Sequence, residues 1–111
     1  MEFANYGQTR DVNCTEAEAE IFHIIRSRCD DVNLDSRVLK LVRKSDSYVS
    51  AVMESSGDYG LLDVARFKYT DRAKWIKFAP GFKKVPLTDI EDVARMIDEI
   101  SAAYQYNVPF L

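Results

Sequence analysis

The sequence predicts an α+β protein: a two-layer sandwich whose four-stranded antiparallel sheet carries an N-terminal and a C-terminal helix on one face. Three observations predict it. Capping boxes, Thr15-Glu-Ala-Glu18 and Thr88-Asp-Ile-Glu91, stand toward the two ends of the chain. Between them lie four segments with strand-like composition and alternation. Short turn-forming sequences join those segments, which suits antiparallel neighbours, whereas parallel strands need long crossovers.

A length of 111 residues suits one domain, residues 1–111, with enough apolar surface for its own core. Hydrophobic residues make up 47% and charged residues 30%, the balance of a globular chain rather than a disordered one. Apolar runs are only a few residues long, and MEFANYGQTR lacks the basic and apolar regions of a secretory signal. A cytoplasmic location without membrane contact is therefore expected.

Residues 1–13 are polar and without periodicity, which predicts a loose N-terminal arm. From Thr15 a helix follows, with Ile21, Phe22, Ile25 and Cys29 on its apolar side and Glu16, Glu18, Glu20, Arg26 and Arg28 on its polar side. Asp30 and Asp31 oppose the helix dipole at its end. Strands are expected at Val38–Lys44 and Tyr48–Glu54, joined by Ser45-Asp-Ser47, then at Leu61–Tyr69 and Lys74–Ala79, joined by Thr70-Asp-Arg-Ala73. Ser55–Gly60 reads as a loop, and Ala79-Pro-Gly81 closes the sheet. The second capping box opens one long helix with Ile90, Val93, Ile97, Ile100 and Tyr104 as its stripe, and Asn107–Leu111 is an apolar tail that Pro109 keeps from continuing the helix.

Chemistry is sparse. Cys14 and Cys29 flank the first helix, so their Cα atoms stand about 20 Å apart by the helical rise, beyond disulfide reach, and both read as thiols. With one histidine there is no zinc ligand set. His23, beside Phe22, reads as structural rather than catalytic. Asp30, Asp31 and Asp35 lack the ligand alternation and bend glycine of a calcium loop, and Ser55–Gly60 lacks a phosphate-cradling glycine motif. A helix followed by an antiparallel sheet invites comparison with restriction-type nuclease cores, yet the matching strand reads Arg66-Phe-Lys68, with a base where the metal-binding acid belongs. No enzyme, cofactor or metal is expected.

One stretch stands apart, Ala65–Ala79, ARFKYTDRAKWIKFA. Residues 65–84 hold Arg66, Lys68, Arg72, Lys74, Lys77, Lys83 and Lys84 against Asp71 alone, a surplus of six, in a chain whose net charge is −3. These seven bases are the candidate partner-binding residues. Bases interleaved with aromatics suit a single-stranded nucleic acid, cations meeting phosphates while rings stack on bases. A plainer reading has the bases solubilise an exposed strand face with Phe67 and Trp75 in the core. Strict alternation places Leu62, Val64, Arg66 and Lys68 on one face and Leu61, Asp63, Ala65, Phe67 and Tyr69 on the other. Trp75, mid-strand, is expected to be a core anchor, with the stems of Lys74 and Lys77 covering apolar surface.

The C-terminal portion, VPLTDIEDVARMIDEISAAY from Val85 to Tyr104, follows short lysine-rich strands. It resembles the ending of a small uncharacterised α+β domain found alone in "predicted transport proteins" or appended to restriction-type nuclease modules. The order of elements over residues 15–106 is similar to that domain, and the residue types match over 85–104. The Gly-rich stretch that the family often places before its last helix is missing here. What the resemblance implies is an accessory or binding domain associated with nucleic-acid enzymes, with no catalytic residue to carry over.

The expected function is a non-enzymatic macromolecular interaction module, such as a small inhibitor or accessory protein of a nucleic-acid-processing or defence enzyme, with another protein as partner. The alternative is a nucleic-acid-binding accessory domain that uses the basic, aromatic hairpin 65–84. An uncovered sheet face together with the tail Val108–Leu111 leaves a homodimer as open as a monomer.

Overall fold

The computed structural model describes residues 12–55 and 60–111, with Lys44 described by its backbone alone. The arm expected at residues 1–13 falls largely outside these, as does most of the loop 55–60. The fold is α+β with an antiparallel sheet, and the sheet has five strands rather than four.

Helix α1 spans Glu16–Asp31. Its capping box forms as the sequence predicts: Glu18 N–H donates to Thr15 Oγ1 at 3.0 Å, and Thr15 N–H donates to Glu18 Oε1 at 2.9 Å. Glu18 is not on the polar side, however, being only 1% exposed. Its second carboxylate oxygen accepts from Tyr69 N–H at 2.9 Å, while Thr15 Oγ1 donates to Tyr69 O, also at 2.9 Å. The cap thus fastens the helix start to a strand end, and that long-range bond is why a carboxylate tolerates burial. At the other end Asn33 adopts φ 62°, a conformation asparagine tolerates, and Leu34 N–H closes the turn on Cys29 O.

A 3₁₀ turn at Ser36–Val38 leads into β1, Leu39–Ser45, so the first strand starts one residue later than expected. Strands β2, Tyr48–Glu54, and β3, Leu61–Tyr69, keep the expected bounds. Strand β4, Lys74–Phe78, loses Ala79, and β5, Val85–Pro86, is the unexpected fifth strand. The sequence placed the end of the sheet at Ala79-Pro-Gly81, but the chain returns to it at β5, which lies at the sheet edge, where Pro86 needs no outward partner. Pairing runs in sequence order, β1 to β5, antiparallel throughout.

The predicted long C-terminal helix is two. Helix α2 spans Glu91–Ala94 and α3 spans Ile97–Asn107, with Arg95 and Met96 between them. The second capping box does not form as predicted. Asp92 Oδ2 instead accepts from the N–H groups of Thr88 and Asp89, at 2.9 and 3.1 Å, and Asp89 Oδ1 accepts from Glu91 N–H at 2.8 Å. Arg95 and Met96 close the first turn with bonds three residues back, to Asp92 O and Val93 O, which tighten and end it.

One cluster of buried side chains joins both layers. Ile21, Phe22, Ile25 and Cys29 of α1 and Ile100, Ala103 and Tyr104 of α3 meet Leu39, Leu41, Val49, Ala51, Met53, Ala65, Phe67 and Ile76 of the sheet. A break in register between Ala51 and Val52 leaves Val64 as an extra residue in β3, so Ala51 pairs with Ala65 but Val52 pairs with Asp63. Strict alternation therefore fails at one point. Asp63 moves onto the same face as Arg66, opposite to where the sequence placed it. The tail folds back on the body: Asn107 is buried and its Nδ2 donates to Asp63 O at 2.9 Å, and Ser55 Oγ donates to Phe110 O at 2.8 Å.

Candidate binding surface on the outer sheet face

The face of the sheet away from the helices is assembled by register. Val42 pairs with Ser50, Ser50 with Arg66, and Arg66 with Lys77, so these four side chains form one row across four strands. Lys68, Trp75 and Pro86 form the next row. Tyr48 precedes Val49, whose partner Phe67 is in the core, so Tyr48 lies on the outer face as well.

This face is not simply open. Val42, Ser50 and Val52 are fully buried at its middle, while Tyr48, Arg66, Lys68, Trp75 and Lys77 are half-buried around them. Trp75 lies outside the core, which corrects the expectation of a core anchor. Its neighbour Ile76 pairs with Phe67 and takes the buried position, and a period of two leaves Trp75 on the other side.

The half-exposed rings and the cations interlock. Tyr48 and Trp75 have ring centroids 6.2 Å apart, and the ammonium groups of Lys77 and Lys84 stand 4.9 and 5.2 Å from the Trp75 ring. The Arg66 guanidinium lies 3.9 Å from the Phe82 ring and 5.7 Å from that of Tyr48. Each cation meets the negative face of a ring. Arg66 Nε also donates to Asp63 Oδ2 at 2.6 Å, an ion pair whose carboxylate is 3% exposed.

Among the described residues, Lys68, Lys74, Lys77, Lys83 and Lys84 form no ion pair, whereas Arg28, Arg37, Lys40, Arg43 and Arg95 each have a carboxylate partner. Positive charge without compensation is thus concentrated in the segment that the sequence singled out. The seven bases do not all converge. Arg66, Lys68, Lys77 and Lys84 gather around Trp75 and Tyr48, but Lys74 lies on the helix side with its ammonium 5.1 Å from the Tyr69 ring. Arg72 is exposed at the turn after β3, and Lys83 is exposed in the loop before β5.

Sequence reasoning missed Tyr48 and Phe82 as members of the site. Alternation along β2 carried the signal for Tyr48, since Val49, Ala51 and Met53 claim the core face. Phe82 sits in a loop without periodicity, and only the fold brings it to Arg66.

Chemically the patch offers flat rings and ammonium groups that form no ion pair among the described residues. Other polar clusters are internally engaged: Asp35 accepts twice from the Arg37 side chain, which holds its carboxyl below the usual range, and Asp30 accepts from Ser36 Oγ at 2.6 Å. Among the described residues no three histidine, cysteine or acidic side chains gather as metal ligands, and no helix is long and apolar enough to cross a membrane. Cys14 and Cys29 are free thiols. Burial, then the charge of Asp30, pushes the Cys29 thiol up to about 11, and burial likewise raises Cys14, so neither is an activated nucleophile. No family model, curated protein or solved structure matches the chain.

Proposed function

We propose that the chain is a non-enzymatic cytoplasmic binding module whose outer sheet face takes a single-stranded nucleic acid. The observation that carries this reading is Trp75, half-exposed beside Tyr48 and bracketed by the ammonium groups of Lys77 and Lys84, which form no ion pair among the described residues. A strand of nucleic acid presents alternating flat rings and negative charges, and this patch presents their complements. A duplex hides its rings, so it fits less well. The acidic remainder of the chain repels a polyanion that strays from the patch, which favours one short contact over general coating.

Fluorescence anisotropy with a short single-stranded oligonucleotide at low salt tests the reading, with the matching duplex as control. Binding that weakens steeply with salt and quenches Trp75 is the expected result. No anisotropy change at low salt, or equal affinity for the duplex, overturns it.

A protein partner is the second reading, and a different observation favours it. Tyr106, Val108 and Leu111 are exposed together at the end of the chain, at 48%, 46% and 41%. Large apolar side chains grouped in this way suit an inhibitor or accessory protein that docks on a nucleic-acid-processing or defence enzyme.

A further inference from the structure

We infer that a cavity of about 220 Å³ at the foot of the cation–aromatic patch is a subsite for a single pyrimidine base of the uracil or thymine type, turned out of the bound strand. The inference rests on the single-strand reading above and deepens it. Leu62, Asp63, Arg66, Pro80, Phe82 and Asn107 line the cavity, and Arg66 also belongs to the patch around Tyr48, so the two are continuous.

Size comes first. A dry protein cavity of about 150 Å³ holds a benzene ring. The space here matches one six-membered ring with its exocyclic oxygens, and the cavity is open to solvent on one side, where a sugar can leave. The lining chemistry then selects among single rings. Asn107 spends one amide N–H on Asp63 O at 2.9 Å and keeps another. Arg66 spends Nε on Asp63, and among the described residues its terminal nitrogens donate to no acceptor. The cavity therefore offers the remaining N–H groups of Asn107 and Arg66 together with the Asn107 amide oxygen, and uracil and thymine present two carbonyl acceptors on either side of one ring N–H.

Backbone strain supports the same place. Phe82 holds φ at 52°, a region that bulky residues avoid, and the conformation falls on Phe82 although Gly81 precedes it. Strain of this kind persists where the surroundings over-determine it, and here it holds the ring 3.9 Å from the Arg66 guanidinium. Asp63 fixes Arg66 from its Nε side. The result is a rigid stack of ring and guanidinium at the cavity wall, against which a planar base can lie.

The positive φ also guides the choice of variant, whose fold is checked by circular dichroism before binding is measured. Phe82→Gly removes the ring while placing glycine where a positive φ suits it. The experiment compares oligothymidylate with oligoadenylate by anisotropy for the wild type, Phe82→Gly and Trp75→Ala, and follows the Asn107 side-chain amide by NMR with oligothymidylate and with uridine monophosphate. The wild type is expected to prefer oligothymidylate by about tenfold. Phe82→Gly is expected to lose the preference, and Trp75→Ala to lose affinity but keep it. The Asn107 amide should shift with oligothymidylate, and a shift with free uridine monophosphate as well would show that the base is recognised without the strand. Equal affinity of the wild type for both oligomers, a preference that survives Phe82→Gly, or an Asn107 amide unmoved by oligothymidylate overturns the subsite while the patch stands. Failure to bind either oligomer overturns both.

Discussion

Phe67 and Ile76 pair across β3 and β4 on one face of the sheet, and Lys68 and Trp75 pair one position further along on the other. The first pair is wholly buried against the helices, the second half-exposed among unpaired cations. Both faces use aromatic side chains from the same two strands, yet one ring is surrounded by carbon and the other by ammonium groups. The difference teaches that a segment with period two can serve stability and recognition at once, residue by residue. It also means that the two roles can be separated by substitution.

The largest expected effect lies on the covered face. Phe67→Ala leaves a cavity beneath α1 and α3 and is expected to cost about 3–5 kcal/mol, much of the stability of an ordinary small domain. Urea denaturation measures it. A loss under about 1 kcal/mol would break the comparison, since the two faces would then contribute alike.

Next comes the joint that holds the helix layer to the sheet. Glu18→Ala removes the acceptor from Thr15 N–H and Tyr69 N–H together, and also the carboxylate 3.6 Å from the Arg43 guanidinium. Leaving buried donors unsatisfied costs about 1–3 kcal/mol each, so a loss of about 2–5 kcal/mol is expected in the same measurement. Amide exchange sharpens the result, because Tyr69 N–H should lose its protection first. Protection at Tyr69 that equals the wild type's would mean that the cap is local to α1.

The opposite fates of Glu18 and Trp75 mark what was legible in the sequence. Local signals were enough for α1 and β2, where a capping box and clean alternation agree with the tertiary structure, and for the bounds of β3. The charge surplus over residues 65–84 likewise pointed to the patch from composition alone. What failed depends on pairing between distant residues. Glu18 is polar by type and buried by partnership with Tyr69, and Trp75 is apolar by type and yet displaced from the core because Ile76 holds the inward position. The extra residue at Val64 reversed Asp63 relative to Arg66, and no pattern within β3 announces it. Five strands appeared instead of four because an edge tolerates Pro86, a fact about position in the sheet. The long helix split at Arg95–Met96, whose N–H groups bond three residues back to Asp92 O and Val93 O, while the apolar stripe alone reads as continuous.

Trp75→Ala sharpens the comparison from the other side. The ring is half-exposed and outside the core, so about 1 kcal/mol of stability is expected to go, well short of the Phe67 loss. Affinity for a single strand should fall much further, by about 1–3 kcal/mol for a lost stacking contact, which is roughly 5- to 150-fold. Denaturation and anisotropy on the same preparation give the two numbers. A large stability loss with unchanged affinity would make Trp75 a structural residue despite its exposure.

The smallest expected change in stability belongs to the two lysines around that ring. Lys77→Ala with Lys84→Ala removes two ammonium groups that have no carboxylate partner among the described residues and stand 4.9 and 5.2 Å from the Trp75 centroid. Stability should stay within about 0.5 kcal/mol, since each exposed cation over a ring contributes little and its loss also relieves repulsion within a basic segment. The effect appears instead in the salt dependence. Each phosphate neutralised on a single strand contributes about 0.7 to the slope of log affinity against log salt, so the double variant should flatten that slope by about 1.4. Trp75→Ala, which removes a ring and no charge, should leave the slope as it is. A slope unchanged in the double variant would mean that these lysines serve the tryptophan and not a phosphate, and the outer face would then be a solubilised counterpart of the covered one.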